Sequence, residues 1–137
     1  MRNGKLDLQA PDDDRVYTFH DPCYLGRPNG ESEAPREGLE RWGLRTGERA
    51  RSRNRSFCCG GGSLYLFYEG ESESRMGEVR VEMAEKAGAQ VVVTACPFCL
   101  INLEDAIKTT GRDDSMEVVD LAELVDRSLS TPGPQTD

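Results

Sequence analysis

The fold turns on residues 90–111, "QVVVTACPFCLINLEDAIKTTG". Its first six residues, "QVVVTA" (90–95), form an unbroken apolar run, too short for a helix and without polar alternation. That is the pattern of a strand covered on both faces, which is the usual state of a central strand in a parallel sheet. Cys96-Pro97-Phe98-Cys99 follows at once, and "LINLEDAIKTTG" (100–111) takes up a helical pattern that stops at Gly111. A buried strand running directly into a helix is half of a βαβ unit.

Working outward, the same alternation recurs. "RVYTFHD" (15–21) is aromatic and β-branched and predicts a strand, leading through Pro22-Cys23 into the loop "YLGRPNGESE". "APREGLERWG" (34–43) predicts a helix with proline near its start and Gly43 past its end. An arginine-rich connection fills 44–55. "SLYLFYEGE" (63–71) is apolar and fits strand or helix equally. "SRMGEVRVEMAEKAGA" (74–89) predicts a helix whose apolar face is Met76, Val79, Met83 and Ala87, with Gly88 at its end. "MEVVD" (116–120) predicts a last strand and "LAELVDRSLS" (121–130) a last helix. The expected class is α/β: a small, mostly parallel sheet flanked by helices. Residues 1–14 are expected to be a flexible lead-in, 15–130 one domain, and 131–137 a flexible tail.

Composition narrows the chemistry. With 137 residues, 36% hydrophobic and 31% charged, the chain suffices for one domain with its own core. A net charge of −8 argues against general nucleic-acid or membrane-surface binding. No apolar run is long enough to span a membrane, and the first residues lack the apolar stretch of a signal peptide. The expected compartment is the cytoplasm, where thiols stay reduced. Five cysteines there read as metal ligands or redox groups before they read as a disulfide framework, and five cannot all pair.

Their positions are telling. Cys23 follows the first strand, and Cys96 ends the buried strand where a helix begins. Sites in open α/β sheets form at the carboxyl ends of strands, so the cysteine loops are expected to converge there. Free N–H groups at a helix start also favour thiolate. Cys58 and Cys59 stand side by side before Gly60-Gly61-Gly62. Glycines let backbone and its N–H groups approach a bulky, electron-rich object such as a sulfide or thiolate. One zinc takes four ligands, fewer than five cysteines, and adjacent cysteines chelate a single metal awkwardly. A polynuclear iron–sulfur cluster suits soft thiolates in this number. Zinc with four cysteines and one spare also satisfies the count.

The pattern is Cys23, then 34 residues, Cys58-Cys59-Gly60, then 35 residues, then Cys96-x-x-Cys99. Together with "HDPCYLGR", "APRE", "RSFCCGGG" and "TACPFCLINLED", it resembles the CCG cysteine-rich domain of the heterodisulfide reductases. That domain also occurs in the iron–sulfur subunits of glycolate oxidase, lactate utilisation and anaerobic glycerol-3-phosphate dehydrogenase. The resemblance covers about residues 15–129. It implies a non-cubane [4Fe–4S] cluster held by Cys23, Cys58, Cys59, Cys96 and Cys99, in an oxidoreductase domain that transfers electrons. In the heterodisulfide reductases such clusters are where a disulfide is cleaved in one-electron steps. The resemblance also implies a partner subunit, ferredoxin-like or flavin-bearing. Two family features are missing, a second CCG domain and a CxxCxxCxxxCP ferredoxin module. Their lack implies the C-terminal part of a longer or split protein.

Other readings stand beside these. A zinc-stabilised structural module of a larger redox complex is one. Another is a thiol–disulfide oxidoreductase working through Cys96 and Cys99, although too few residues follow that pair for the rest of a glutaredoxin-like fold. His20, the sole histidine, three residues from Cys23, reads first as a structural hydrogen-bonding residue at a strand end and second as a proton donor or a hydrogen-bonding neighbour of the centre's ligands, and in neither case as a ligand. Arg45, Arg49, Arg51, Arg53 and Arg55 read equally as a solvated loop and as a positive patch, serving an acidic partner or an anionic cluster.

Overall fold

The computed structural model describes residues 8, 9, 11–63 and 74–129. Three parallel strands form one sheet in the order β1-β2-β3: β1 (Tyr17–His20), β2 (Val91–Thr94) and β3 (Glu117–Asp120). Val92 pairs with Thr18 on one side and Val118 on the other, and Thr94 pairs with His20 and Asp120. The apolar run is thus the central strand, buried at all four positions. Parallel neighbours need crossovers, and helices supply them.

The helices are α1 (Cys23–Gly26), α2 (Glu33–Arg41), α3 (Met76–Lys86), α4 (Pro97–Thr109) and α5 (Leu121–Arg127). They cover both faces of the sheet. On one face Tyr17, Phe19, Val91, Val93 and Val119 pack with Leu39 and Trp42 of the α2 region and Leu124 of α5. On the other, Val92 packs with Val81 and Ala84 of α3 and Leu103, Ala106 and Ile107 of α4. Strand side chains alternate faces, so in register His20 lies on the α3–α4 side while Phe19 lies on the α2 side.

Three local readings change. The loop after Pro22 opens with the short helix α1, whose Gly26 N–H donates to the Pro22 carbonyl at 3.0 Å. Helix α4 begins at Pro97 rather than residue 100, with Cys96 as its N-cap, because proline suits the first helical position. Helix α3 buries Gly77, Arg80, Val81 and Ala84, not the face of Met76, Val79, Met83 and Ala87. Apolar periodicity passed over an arginine and a glycine, which here carry the buried side. The ambiguous stretch lies, from residue 64 on, outside the described residues.

The open edge of β1 is capped by the arginine-rich connection. The Tyr17 N–H donates to the Arg45 carbonyl and the Gly47 N–H to the Tyr17 carbonyl, both at 2.8 Å. Leu8 and Gln9 pair with the chain around Ser128 and Leu129. Among the described residues no helix is long and apolar enough to cross a membrane.

Candidate metal centre

Three segments meet at the carboxyl end of the sheet. Cys23 opens α1, three residues past β1; Cys96 and Cys99 frame the start of α4, just past β2; Cys58 and Cys59 come from the loop before the glycines. All five are free thiols. The Cys59 and Cys99 sulfurs are buried and 3.3 Å apart. The nitrogen of His20 completes a cluster with them, its members within 4.8 Å of one another. Cys58 and Cys96 are half-buried beside this pair, and Cys23 is exposed at the rim.

The thiols feel one another. The contact with Cys99, whose S–H can donate, lowers the Cys59 pKa, and the same contact raises that of Cys99, with burial adding to it. Cys96 raises Cys99 further. Cys58 is raised by burial and, despite the Gly60 N–H, by Cys59 and Cys23. Cys58, Cys59 and Cys99 are thus electrostatically coupled, with Cys23 and Cys96 at their two sides. Metal-free, Cys58 and Cys99 resist ionisation because burial and the neighbouring Cys59 sulfur oppose a negative charge there. A cation among them removes that penalty.

The glycines do what bulkier residues could not. The Gly60 N–H donates to the Cys58 sulfur at 3.3 Å and the Gly61 N–H to the Cys59 sulfur at 3.4 Å. Gly60 has φ +92°, where other residues are strained. A Cβ on Gly61 would lie 3.0 Å from the Phe98 carbonyl oxygen and 3.5 Å from the Cys59 sulfur. The loop is thereby pressed against the first turn of α4. Asn102, one turn further on, donates its side-chain N–H to the Cys59 carbonyl and ties the double cysteine to the same helix.

Arginines surround the site on its inner side. Arg36 grips buried Asp21 with Nη1 to Oδ1 at 2.6 Å and Nη2 to Oδ2 at 2.8 Å, and it also binds Glu48. The Arg53 N–H donates to Asp21 Oδ2 at 2.9 Å. Arg49 is buried and donates to the Phe19 carbonyl. The connection is therefore neither wholly solvated nor wholly a surface patch: Arg45, Arg51, Arg53 and Arg55 are exposed, while Arg49 is inside. Arg80 of α3 is fully buried and donates Nε–H to His20 Nδ1 at 3.2 Å. Reading by sequence missed Arg80 because arginine inside a helical stretch counts as solvent-facing. It ranked a structural role for His20 above one beside the cysteines, although the period of two along "YTFH" already sets His20 opposite the aromatic face.

Free thiols in this number, backbone N–H groups aimed at two of the sulfurs, and a cradle that a Cβ would fill are all suited to a bound thiophilic metal or cluster.

Comparison with known proteins places the chain in a family. The family described as a cysteine-rich domain, CCG, matches residues 17–104. A probable membrane-anchored ferredoxin of Chromohalobacter salexigens is 38% identical over 136 residues, which is 99% of this chain and 20% of the relative. A probable iron-sulfur-binding oxidoreductase, FadF, of Bacillus subtilis is 37% identical over 130 residues, 94% of this chain and 18% of the relative. One subunit of the dihydromethanophenazine:CoB–CoM heterodisulfide reductase of Methanosarcina barkeri is 38% identical over 119 residues, 84% of this chain and 28% of the relative. The chain thus spans between about a fifth and under a third of these relatives. Since the family match takes in well over half of the 137 residues, from the first strand through both cysteine motifs, the chain belongs to the CCG cysteine-rich domain family.

Proposed function

We propose that the chain is an iron–sulfur-binding, electron-transferring domain of a larger oxidoreductase. Cys23, Cys58, Cys59, Cys96 and Cys99 would hold a non-cubane [4Fe–4S] cluster. The observation that carries this reading is the convergence of five free thiols from three segments on one sheet edge, with Gly60 and Gly61 N–H groups donating to two of the sulfurs. Family membership and the names of the iron–sulfur relatives support it. A bound cluster would supply one-electron chemistry. The protein's own part is to hold the sulfurs ionised, to shield Cys59 and Cys99 from water, and to leave the Cys23 rim open.

The rim also supports a partner. Tyr24 beside Cys23, Phe98 between Cys96 and Cys99, and Ile101 one turn on are 80%, 57% and 54% exposed. Large apolar side chains left out around a redox centre suit a docked electron-transfer subunit, ferredoxin-like or flavin-bearing. The proposed reaction is electron delivery to a disulfide or exchange with a flavin-linked dehydrogenase.

Substituting each cysteine by serine, on protein purified without oxygen, tests the ligand set. All five variants are expected to lose most of their iron and the visible absorption of the cluster. Retention of full iron and sulfide by C23S or C58S would contradict five-cysteine ligation. One zinc per chain, unaffected by either, would favour the structural module.

A further inference from the structure

Buried charge at this site does not balance. Among the described residues the buried side chains include three guanidiniums, Arg36, Arg49 and Arg80, and one carboxylate, Asp21. Asp21 is taken up by Arg36, with Glu48 as that arginine's second partner. Neither Arg49 nor Arg80 has an ion-pair partner among the described residues. Arg49 is 3% exposed and its Nε and Nη1 lack hydrogen-bond partners; Arg80 is 0% exposed and its Nη2 lacks one. Burying an unpaired guanidinium is costly. A protein of net charge −8 has carboxylates to spare, yet those that Arg49 and Arg80 feel, Asp21 and Glu48, are already bound to Arg36. Arg80 Nη1 donates to the Ala50 and Arg51 carbonyls at 3.0 and 3.2 Å and Arg49 to the Phe19 carbonyl, neutral partners that leave both charges uncompensated, while Nε of Arg80 reaches His20 beside the sulfurs.

His20 is 1% exposed and lies between Arg80 and Cys59. Arg80 Nε–H donates to His20 Nδ1, and arginine does not give up its proton. Nδ1 is therefore an acceptor and the single ring proton sits on Nε2. A ring nitrogen of His20 lies within 4.8 Å of the Cys59 and Cys99 sulfurs, and with Nδ1 taken by Arg80 the Nε2–H is the group left to donate to them.

We propose that His20 is a positioning residue for the cysteine-bound centre: locked as the Nε2–H tautomer by Arg80, it donates to the Cys59 sulfur and, with the unpaired charges of Arg80 and Arg49 behind it, raises the centre's reduction potential. Hydrogen bonds to ligating sulfur and nearby net charge are two of the levers that set such potentials. Both act in one direction here, since each favours the form that carries the extra electron. Arg49 adds charge without touching a sulfur. This inference rests on the cluster reading above.

The test is the midpoint potential of the iron-loaded chain, followed by electron paramagnetic resonance, with iron and sulfide counted on every sample. H20L removes the N–H and is expected to shift the reduction equilibrium about tenfold toward the oxidised form, about 59 mV for one electron. H20Q keeps an N–H donor and is expected to shift it by less than half of that. R80M is expected to move it at least as far as H20L, and R80K, which keeps the charge, to restore part of it. Wild-type potentials in both H20L and R80M at full iron content would overturn the proposal. A second measurement needs no variant. The nitrogen-15 spectrum of the chain's one histidine, on reduced metal-free protein, is expected to show the Nε2–H tautomer, and an Nδ1–H tautomer would overturn the relay. Absence of iron and sulfide from the wild-type chain would sink the cluster reading instead, and the tautomer would still judge the relay.

Discussion

Asp21 shows how one residue holds the region behind the cysteines. It lies at the end of β1, 2% exposed, and receives three hydrogen bonds, two from Arg36 and one from the Arg53 backbone. Burial alone would raise its pKa, but the Arg36 guanidinium and the Arg53 N–H outweigh that and hold it below the usual carboxylate value. A carboxyl depressed in the fold contributes stability that is complete above its unfolded pKa of about 3.9 and is lost as pH falls through the lower folded value. D21N leaves Arg36 buried without its bidentate partner and is expected to cost about 3 kcal/mol at neutral pH. Urea unfolding at stepped pH checks both parts: the loss at pH 7, and a gap between D21N and wild type that narrows below about pH 4. A gap that stays constant down to pH 2 would show that the ion pair carries no stability. The cysteines stood out one by one because their spacing, CC followed by CxxC, is unusual in itself. Asp21 and Arg80 were not, because a charged residue gives no sequence signal of being buried; only its tertiary partner does.

At the scale of elements, the packing of α3 on α4 sets the position of the double cysteine. Gly77 makes it possible: a Cβ there would lie 3.1 Å from Asn102 Nδ2 and 3.2 Å from the Ala106 Cβ. Asn102 in turn holds the Cys59 carbonyl, so pressure at Gly77 travels to the site. G77V is expected to cost about 1–3 kcal/mol by overpacking and to lower the iron retained per chain. Gly38, inside α2, is the control, since a Cβ added there would meet nothing within 4 Å. G38A is expected to stabilise by about 0.5 kcal/mol through the unfolded chain and to leave iron content alone. Equal effects of the two in chemical denaturation would show that α3 and α4 have slack at this contact. The strands and the longer helices could be read in advance because period and capping are local signals. The buried face of α3 could not. Its apolar pattern pointed one way, and the close approach of two helices, with the need to seat Arg80 behind His20, turned it another.

Taken together, the described residues form a three-stranded parallel sheet with helices on both faces and the cysteines gathered at one end. The α/β class followed from a buried strand running into a helix, and the place of the site from the rule that such sheets bind at strand carboxyl ends. What the sequence did not disclose is the inner wall of arginines, since their alignment depends on strand register and on the chain crossing the edge of β1. The domain spans about a fifth of several relatives, and under the proposed function its electrons would come from another part of a larger assembly. The most direct measurement is iron and acid-labile sulfide per chain, with electron paramagnetic resonance of oxidised and reduced protein purified without oxygen. About four irons and four sulfides with a cluster signal is the predicted result. One zinc, no sulfide and a silent spectrum would contradict the account and leave a structural module in its place.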